Sequence, residues 1–254
     1  MTTHLSTVPE LTGRTALVTG ATRGVGLAIA RKLTASGADV LVNYAEDEAN
    51  AARALAALAG HPGRASAFKA DVTEGIDALC NEAQRRFGHL DIFVHNTSYF
   101  RPSPTLTTSP ALVDRSLAVA LHPLLTGALR LAKLMAGRPG RIVAVSSTGA
   151  RRVVPRYAGA GVAKAALESL VRYLAVELAG HGITVNAVAA AKVDKGDGTV
   201  PPEVAKAITA RAPGGRLTTP EDVADVVSLL CTVEAGWLQG QVVTVDGGLG
   251  LVAG

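Results

Sequence analysis

Two side chains near the middle of the chain have types and spacing suited to proton chemistry. Tyr157 and Lys164 stand seven residues apart in "RYAGAGVAKAALESLVRYLAVELA", Arg156 to Ala179. A phenol beside an ammonium can hand a proton to a developing oxyanion, and the positive charge favours the anion. On a helix four residues turn by about 400° and seven by about 700°, so both spacings keep the pair near one face. The rise differs, about 6 Å against about 10.5 Å. The seven-residue spacing therefore suits a substrate oxygen held one helical turn further from the lysine.

A second constellation lies near the start. "VTGATRGVGLAIA" joins an apolar strand to an amphipathic helix through Gly20, Gly24 and Gly26. Such glycines allow a tight turn and let phosphate approach the backbone, while the helix amino terminus supplies N–H groups and a positive dipole end. We expect a dinucleotide here, held by Gly20, Thr22, Arg23, Gly24, Val25 and Gly26. An acidic residue ending the second strand would grip the ribose 2′-hydroxyl of NAD. That place reads Asn43 and Tyr44, and Arg23 stands ready for a 2′-phosphate, so NADP(H) is the expected cofactor although Glu46 and Asp47 follow closely.

These residues need rigid elements to position them. "TALVTG", "ADVLVNY", "ASAFKAD", "LDIFVHN", "GRIVAVSS", "GITVNAVAA" and "GQVVTVDGG" read as strands, with helical stretches between them. Apolar strands alternating with helices predict a doubly wound α/β fold, a parallel sheet covered on both faces with ligands at the carboxyl ends of its strands. "KVDKGDGTVPPE", Lys192 to Glu203, is polar and rich in glycine and proline and is expected to be a mobile loop near the site.

Composition agrees. The 254 residues are 48% hydrophobic, enough for one α/β domain over residues 13–254 preceded by a short tail at 1–12. No apolar run reads as a membrane span, and the first residues lack a signal-peptide pattern, so a cytoplasmic protein is expected. Cys80 and Cys231 form no metal-ligand or CxxC pattern and read as buried reduced thiols. A net charge of +4 without a basic stripe, and with only 4% aromatics, argues against nucleic-acid binding.

Taken together, "TGATRGVG", "ADV" at Ala70 to Val72, "VSS" at Val145 to Ser147, Tyr157 with Lys164, "VNAV" at Val185 to Val188 and "VDGG" at Val245 to Gly248 resemble a short-chain dehydrogenase/reductase from about residue 12 onward. The resemblance implies a seven-stranded Rossmann sheet and a homotetramer or homodimer. It also implies adenine contacts from Asp71 and Val72, Asn96 beside the cofactor, Val193 at the nicotinamide amide, Lys164 on the ribose, and Ser147 at the catalytic serine position. Most of the family places its tyrosine four residues before the lysine, where this chain has Ala160. The Y-x6-K spacing is similar to that of the enoyl-acyl carrier protein reductases, especially their bacillus-type short-chain branch.

Several positions depart from the family pattern. "NNAG" reads His95, Asn96, Thr97, Ser98; the helix asparagine reads Ala120; "PG" reads Ala190, Ala191; and the following threonine is replaced near Lys195. His95 and Tyr99 are pocket candidates, with a structural role the commoner one for such a histidine. No role is assigned to His122, which Pro123 follows. Ser146 and Ser147 can equally satisfy buried backbone groups. The expected activity is NADPH-dependent reduction of an enoyl acyl thioester, with an acyl carrier protein as a candidate carrier that Arg151, Arg152 and Arg156 would steer. The alternatives are reduction of a biosynthetic ketone, or a relative with a non-redox or binding function.

Overall fold

The computed structural model describes residues 10–252, so residues 1–9 of the expected tail lie outside it. Leu11, within that tail, is buried and its N–H donates to Ser36 O.

Seven parallel strands form one sheet: β1 (Thr15–Val18), β2 (Asp39–Tyr44), β3 (Ala65–Lys69), β4 (Ile92–His95), β5 (Gly140–Ser147), β6 (Ile183–Ala190) and β7 (Val242–Val245). Their order is β3-β2-β1-β4-β5-β6-β7. Chain progression reverses between β1 and β4, which opens a crevice at their carboxyl ends. The helices are α1 (Gly24–Ala35), α2 (Glu48–Leu58), α3 (Asp77–Phe87), α4 (Pro110–Leu134), α5 (Ala158–Ala179), α6 (Pro202–Arg211) and α7 (Pro220–Leu230). The doubly wound fold expected from the apolar strands is therefore present. The polar loop is shorter than expected, because Pro202 and Glu203 already open α6; proline suits the first helical turn, where its missing N–H has no partner to lose.

Side-chain alternation divides the interior into two cores. Leu17 of β1 faces a core with Phe93, Ile142 and Val185, closed by α3, α4 and α5. Its neighbours Ala16 and Val18 face the opposite core with Val40, Ile92, Val143 and the inner sides of α1 and α7. Each large side chain fully removed from water here contributes roughly 1.5–3 kcal/mol. Cys80 lies in the first core and Cys231 in the second, both as free thiols.

Contrary to the composition-based expectation, α4 is long and apolar enough to cross a bilayer, alone among helices of the described residues. Its buried side instead packs on α5 and α3 as one layer of the fold. At the amino ends of the strands, away from the crevice, Asp91 is fully buried. It accepts from Thr15 N–H at 2.8 Å and Arg138 Nε at 2.6 Å, and ties β1 to β4.

Candidate active site

The crevice begins at the glycine turn between β1 and α1. Gly20 and Gly24 have φ of +60° and +52°, which L side chains rarely adopt. Gly26 is needed for a different reason. A Cβ there would collide with Gly20 O and would lie 2.6 Å from Asn96 Nδ2 and 2.9 Å from Ala21 Cα. The turn is braced by two amides. Asn96 Nδ2 donates to Thr19 O and Gly20 O, both at 3.0 Å, while Asn43 Oδ1 accepts from Gly20 N–H at 3.3 Å and its Nδ2 donates to Ala70 O at 2.9 Å. Asn96 thus acts on the cofactor turn itself. Asn43, noted in the sequence only as a missing acid, is a buried crossbrace between β1, β2 and β3.

Several features fit a dinucleotide phosphate. α1 has no side-chain cap and no acidic residue in its first turn, so its terminal N–H groups are open. Thr22 and Val25 flank them half-buried, and Arg23 is exposed beside them. Thr97 Oγ1 is buried against Gly20 without a partner among the described residues. At the adenosine side, Asp47 caps α2 by accepting Asn50 N–H at 2.7 Å, so this acid is committed locally. Tyr44 is half-buried at the end of β2. Asp71 accepts the N–H and hydroxyl of Thr73 at 2.8 Å and pairs with Arg115; the Thr73 backbone bond chiefly holds its carboxyl below the usual range. The Val72 side chain points into the core, leaving only its backbone for adenine.

Across the crevice, Tyr157 is the cap residue before α5 rather than part of the helix. The assumption that it sits on the helix therefore fails by one residue. Its carbonyl still accepts Gly161 N–H at 2.7 Å, so the first turn is regular despite its glycines. Arg156, immediately before it, has φ +63°, a strained value for a side-chain-bearing residue. The Tyr157 ring lies against Gly149, where a Cβ would come within 2.7 Å of it, and tilts against Phe100 with centroids 4.9 Å apart. Burial raises the Tyr157 pKa, and the Ser147 hydroxyl beside it acts in the opposite direction. Ser147 Oγ also accepts Gly149 N–H at 3.1 Å. Tyr157 and Ser147 are thus brought together at the carboxyl end of β5.

Lys164 lies deeper. It is 4% exposed, and its Nζ donates to Val145 O at 2.7 Å. Burial lowers its pKa to about 8. The adjoining Ser146 is not a second catalytic serine, since it donates to the buried Glu168 at 2.8 Å, and Arg151 Nε binds the other Glu168 oxygen at 2.8 Å. Arg151 therefore braces α5, which reduces the expected arginine cluster at the mouth to Arg152 and Arg156.

His95 is a satisfied core histidine. Its Nε2 lies 3.0 Å from Ala120 O and its Nδ1 3.3 Å from Thr19 Oγ1. A carbonyl can only accept, so Nε2 carries the proton and Nδ1 accepts from the threonine. Val119 O also contributes to holding His95. Pro123 explains this, because it lacks the N–H that would bond the carbonyl four residues earlier. Burial, then the charge of Lys164, pushes His95 down to about 3 and keeps it neutral.

Residues 20–250 match the family model described as Enoyl-(Acyl carrier protein) reductase. The chain belongs to the short-chain dehydrogenase/reductase family. Among curated members of that family it is 41% identical over 248 residues to 1-cyclohexenylcarbonyl-CoA reductase of Streptomyces collinus, covering 93% of this chain and 87% of that protein. A short-chain dehydrogenase of Burkholderia cenocepacia, solved in complex with NADP, superposes with a TM-score of 0.87 at 31% identity, covering 95% of this chain and 99% of that one. The angucycline C-6 ketoreductase LanV, solved with bound NADP, gives 0.88 at 34% identity, covering 96% and 98%. The protein is accordingly an oxidoreductase of the short-chain family.

Proposed function

We propose that this reductase acts on an enoyl (α,β-unsaturated) acyl thioester in fatty-acid or polyketide-type metabolism. The observation that carries the reading is the placement of the proton donor. Tyr157 stands at the entrance to α5 beside Ser147, while Ala160, at the usual tyrosine position, is buried and has no proton to give. NADPH, when bound, supplies the hydride that reaches the β-carbon of the enoyl group. Tyr157 would stabilise the enolate by donating a hydrogen bond to the thioester oxygen, where negative charge gathers, and a single proton from water then reaches the α-carbon as the carbonyl re-forms. Lys164 adds positive charge below this oxygen and would hold the ribose hydroxyls. Ser147 orients the phenol.

The similarity to a cyclohexenylcarbonyl-CoA reductase supports the same substrate class. Arg152 and Arg156, exposed near Tyr157, suit an acidic acyl carrier protein. We place the activity in the cytoplasm, consistent with two free thiols. We also assign a second copy of this chain to the apolar stripe on α4 and α5, where Leu125, Leu129, Tyr173 and Val176 are exposed.

A second reading, reduction of a bulky ketone, is favoured by the contact of Ser147 with Tyr157 and by the similarity to a ketoreductase. NADPH consumption followed by absorbance with crotonyl-CoA, cyclohexenylcarbonyl-CoA and acetoacetyl-CoA separates the two. Oxidation with the enoyl thioesters is expected, falling about 10²–10⁴-fold in Tyr157→Phe with nucleotide binding retained. Turnover of acetoacetyl-CoA alone would select the ketone reading.

A further inference from the structure

A carboxylate is buried in α5 about one turn beyond Lys164. Glu168 is 4% exposed and sits beside Leu167 and Val171 of the first core. Such a charge is costly to bury unless it is paired and hydrogen-bonded. Lys164 is not the partner, since its Nζ is spent on Val145 O. Both Glu168 oxygens go instead to the segment that joins β5 to α5. Oε1 accepts the Ser146 hydroxyl and Oε2 accepts Arg151 Nε, each at 2.8 Å. Arg151 is the ion-pair partner of Glu168 among the described residues.

What lies between these two attachment points decides what they do. Ser147 follows Ser146; its hydroxyl bonds Tyr157, and its Oγ accepts Gly149 N–H at 3.1 Å. Gly149 seats the tyrosine ring, and its carbonyl is pressed close to Gly161 near the start of α5. Arg151 closes the 3-10 turn, its N–H donating to Thr148 O at 3.1 Å. The contacts that reach Tyr157 from the β5 side thus lie within residues 146–151, and one carboxylate holds both ends of that stretch. Stability alone does not call for the charge, because a well-packed apolar side chain of similar size often serves as well as a buried ion pair. What the pair adds here is fixed geometry.

We propose that Glu168 is a positioning residue for the reaction: through Ser146 and Arg151 it pins both ends of residues 146–151 to α5, and so holds the Ser147 hydroxyl and Gly149 against the Tyr157 phenol. Buried behind Ser146, it acts through the tyrosine and not on the reacting atoms. The proposal rests on Tyr157 as the hydrogen-bond donor to the substrate oxygen, and it holds for an enoyl and a keto substrate alike.

Steady-state turnover of crotonyl-CoA and acetoacetyl-CoA with NADPH tests it in the wild type, Glu168→Gln, Arg151→Met, Arg151→Lys and Tyr157→Phe, and in Glu168→Gln combined with Tyr157→Phe. Glu168→Gln and Arg151→Met are each expected to lower kcat roughly 10–100-fold, the scale of a misplaced catalytic group, with the NADPH dissociation constant unchanged. Arg151→Lys should recover part of the loss by restoring the charge. In the Tyr157→Phe background Glu168→Gln should cost nothing further, because the phenol it positions is gone. If Glu168→Gln does not fold, Arg151→Met carries the same comparison, since that side chain is half exposed. An equal loss with and without the phenol would make Glu168 a structural residue only and overturn the proposal. Native kcat in Glu168→Gln and Arg151→Met, beside a Tyr157→Phe enzyme that is impaired, would overturn it while leaving the role of the tyrosine intact. Full activity of Tyr157→Phe would overturn that role and the proposal together.

Discussion

Lys164 is the deepest charge at the site, and its burial has a kinetic consequence. An ammonium with one carbonyl partner and almost no water is held at a pKa of about 8, against an ordinary value of 10.5. It is cationic below that pH and neutral above it. Tyr157 shifts the other way, so the phenol keeps its proton across the range in which the lysine titrates. A pH profile of kcat/KM is expected to be level below pH 8 and to fall by up to tenfold per unit above it; a profile flat to pH 10 would remove Lys164 from the charge balance. Residue type and spacing singled out this pair, as they singled out Arg23 and the glycines. They did not identify Thr97, whose hydroxyl acquires meaning only from being shut against Gly20, nor the structural duty of His95. That duty depends chiefly on the Ala120 carbonyl, on a helix that β4 meets only in the folded chain.

The two turns that frame the crevice are built by close approach. Gly161 admits Gly149 O to within 2.9 Å of where its Cβ would be, and Gly149 in turn seats the tyrosine ring. The 3-10 turn at Thr148–Ala150 is thereby pressed onto the start of α5. On the cofactor side, Gly26→Ala would drive a methyl group into Gly20 O and Asn96. It is expected to cost about 1–3 kcal/mol in thermal unfolding and to weaken NADPH binding at least tenfold by titration. A stable variant with native affinity would mean that the turn can relax. Strands and helices were legible in the sequence because apolar runs and helical periodicity are local properties. The displacement of Tyr157 from the helix was not, since it follows from a strained Arg156 and from contacts with Gly149 and Phe100. The end of the polar loop was misjudged because proline marks both a turn and a first helical position, and Pro202 does the latter.

At the scale of the whole molecule, one sheet separates two cores, and the candidate cofactor crevice opens where chain progression reverses between β1 and β4. The outer side of α4 and α5 remains apolar, with Leu129 and Val176 more than half exposed. If another copy covers this side, Leu129→Glu with Val176→Glu should shift the sedimentation coefficient to that of a monomer. A native protein that already sediments as a monomer would exclude that assembly. The separation of the cores also provides a pair of built-in clocks. Cys80 and Cys231 are fully buried on opposite sides of the sheet, and burial raises both thiols to about 12. In the native state neither offers a thiolate to an alkylating reagent. Each becomes labelled only when its own layer of helices opens, so the modification rates at the two cysteines time the breathing of the two halves independently, and nucleotide should slow the clock on the α1 side.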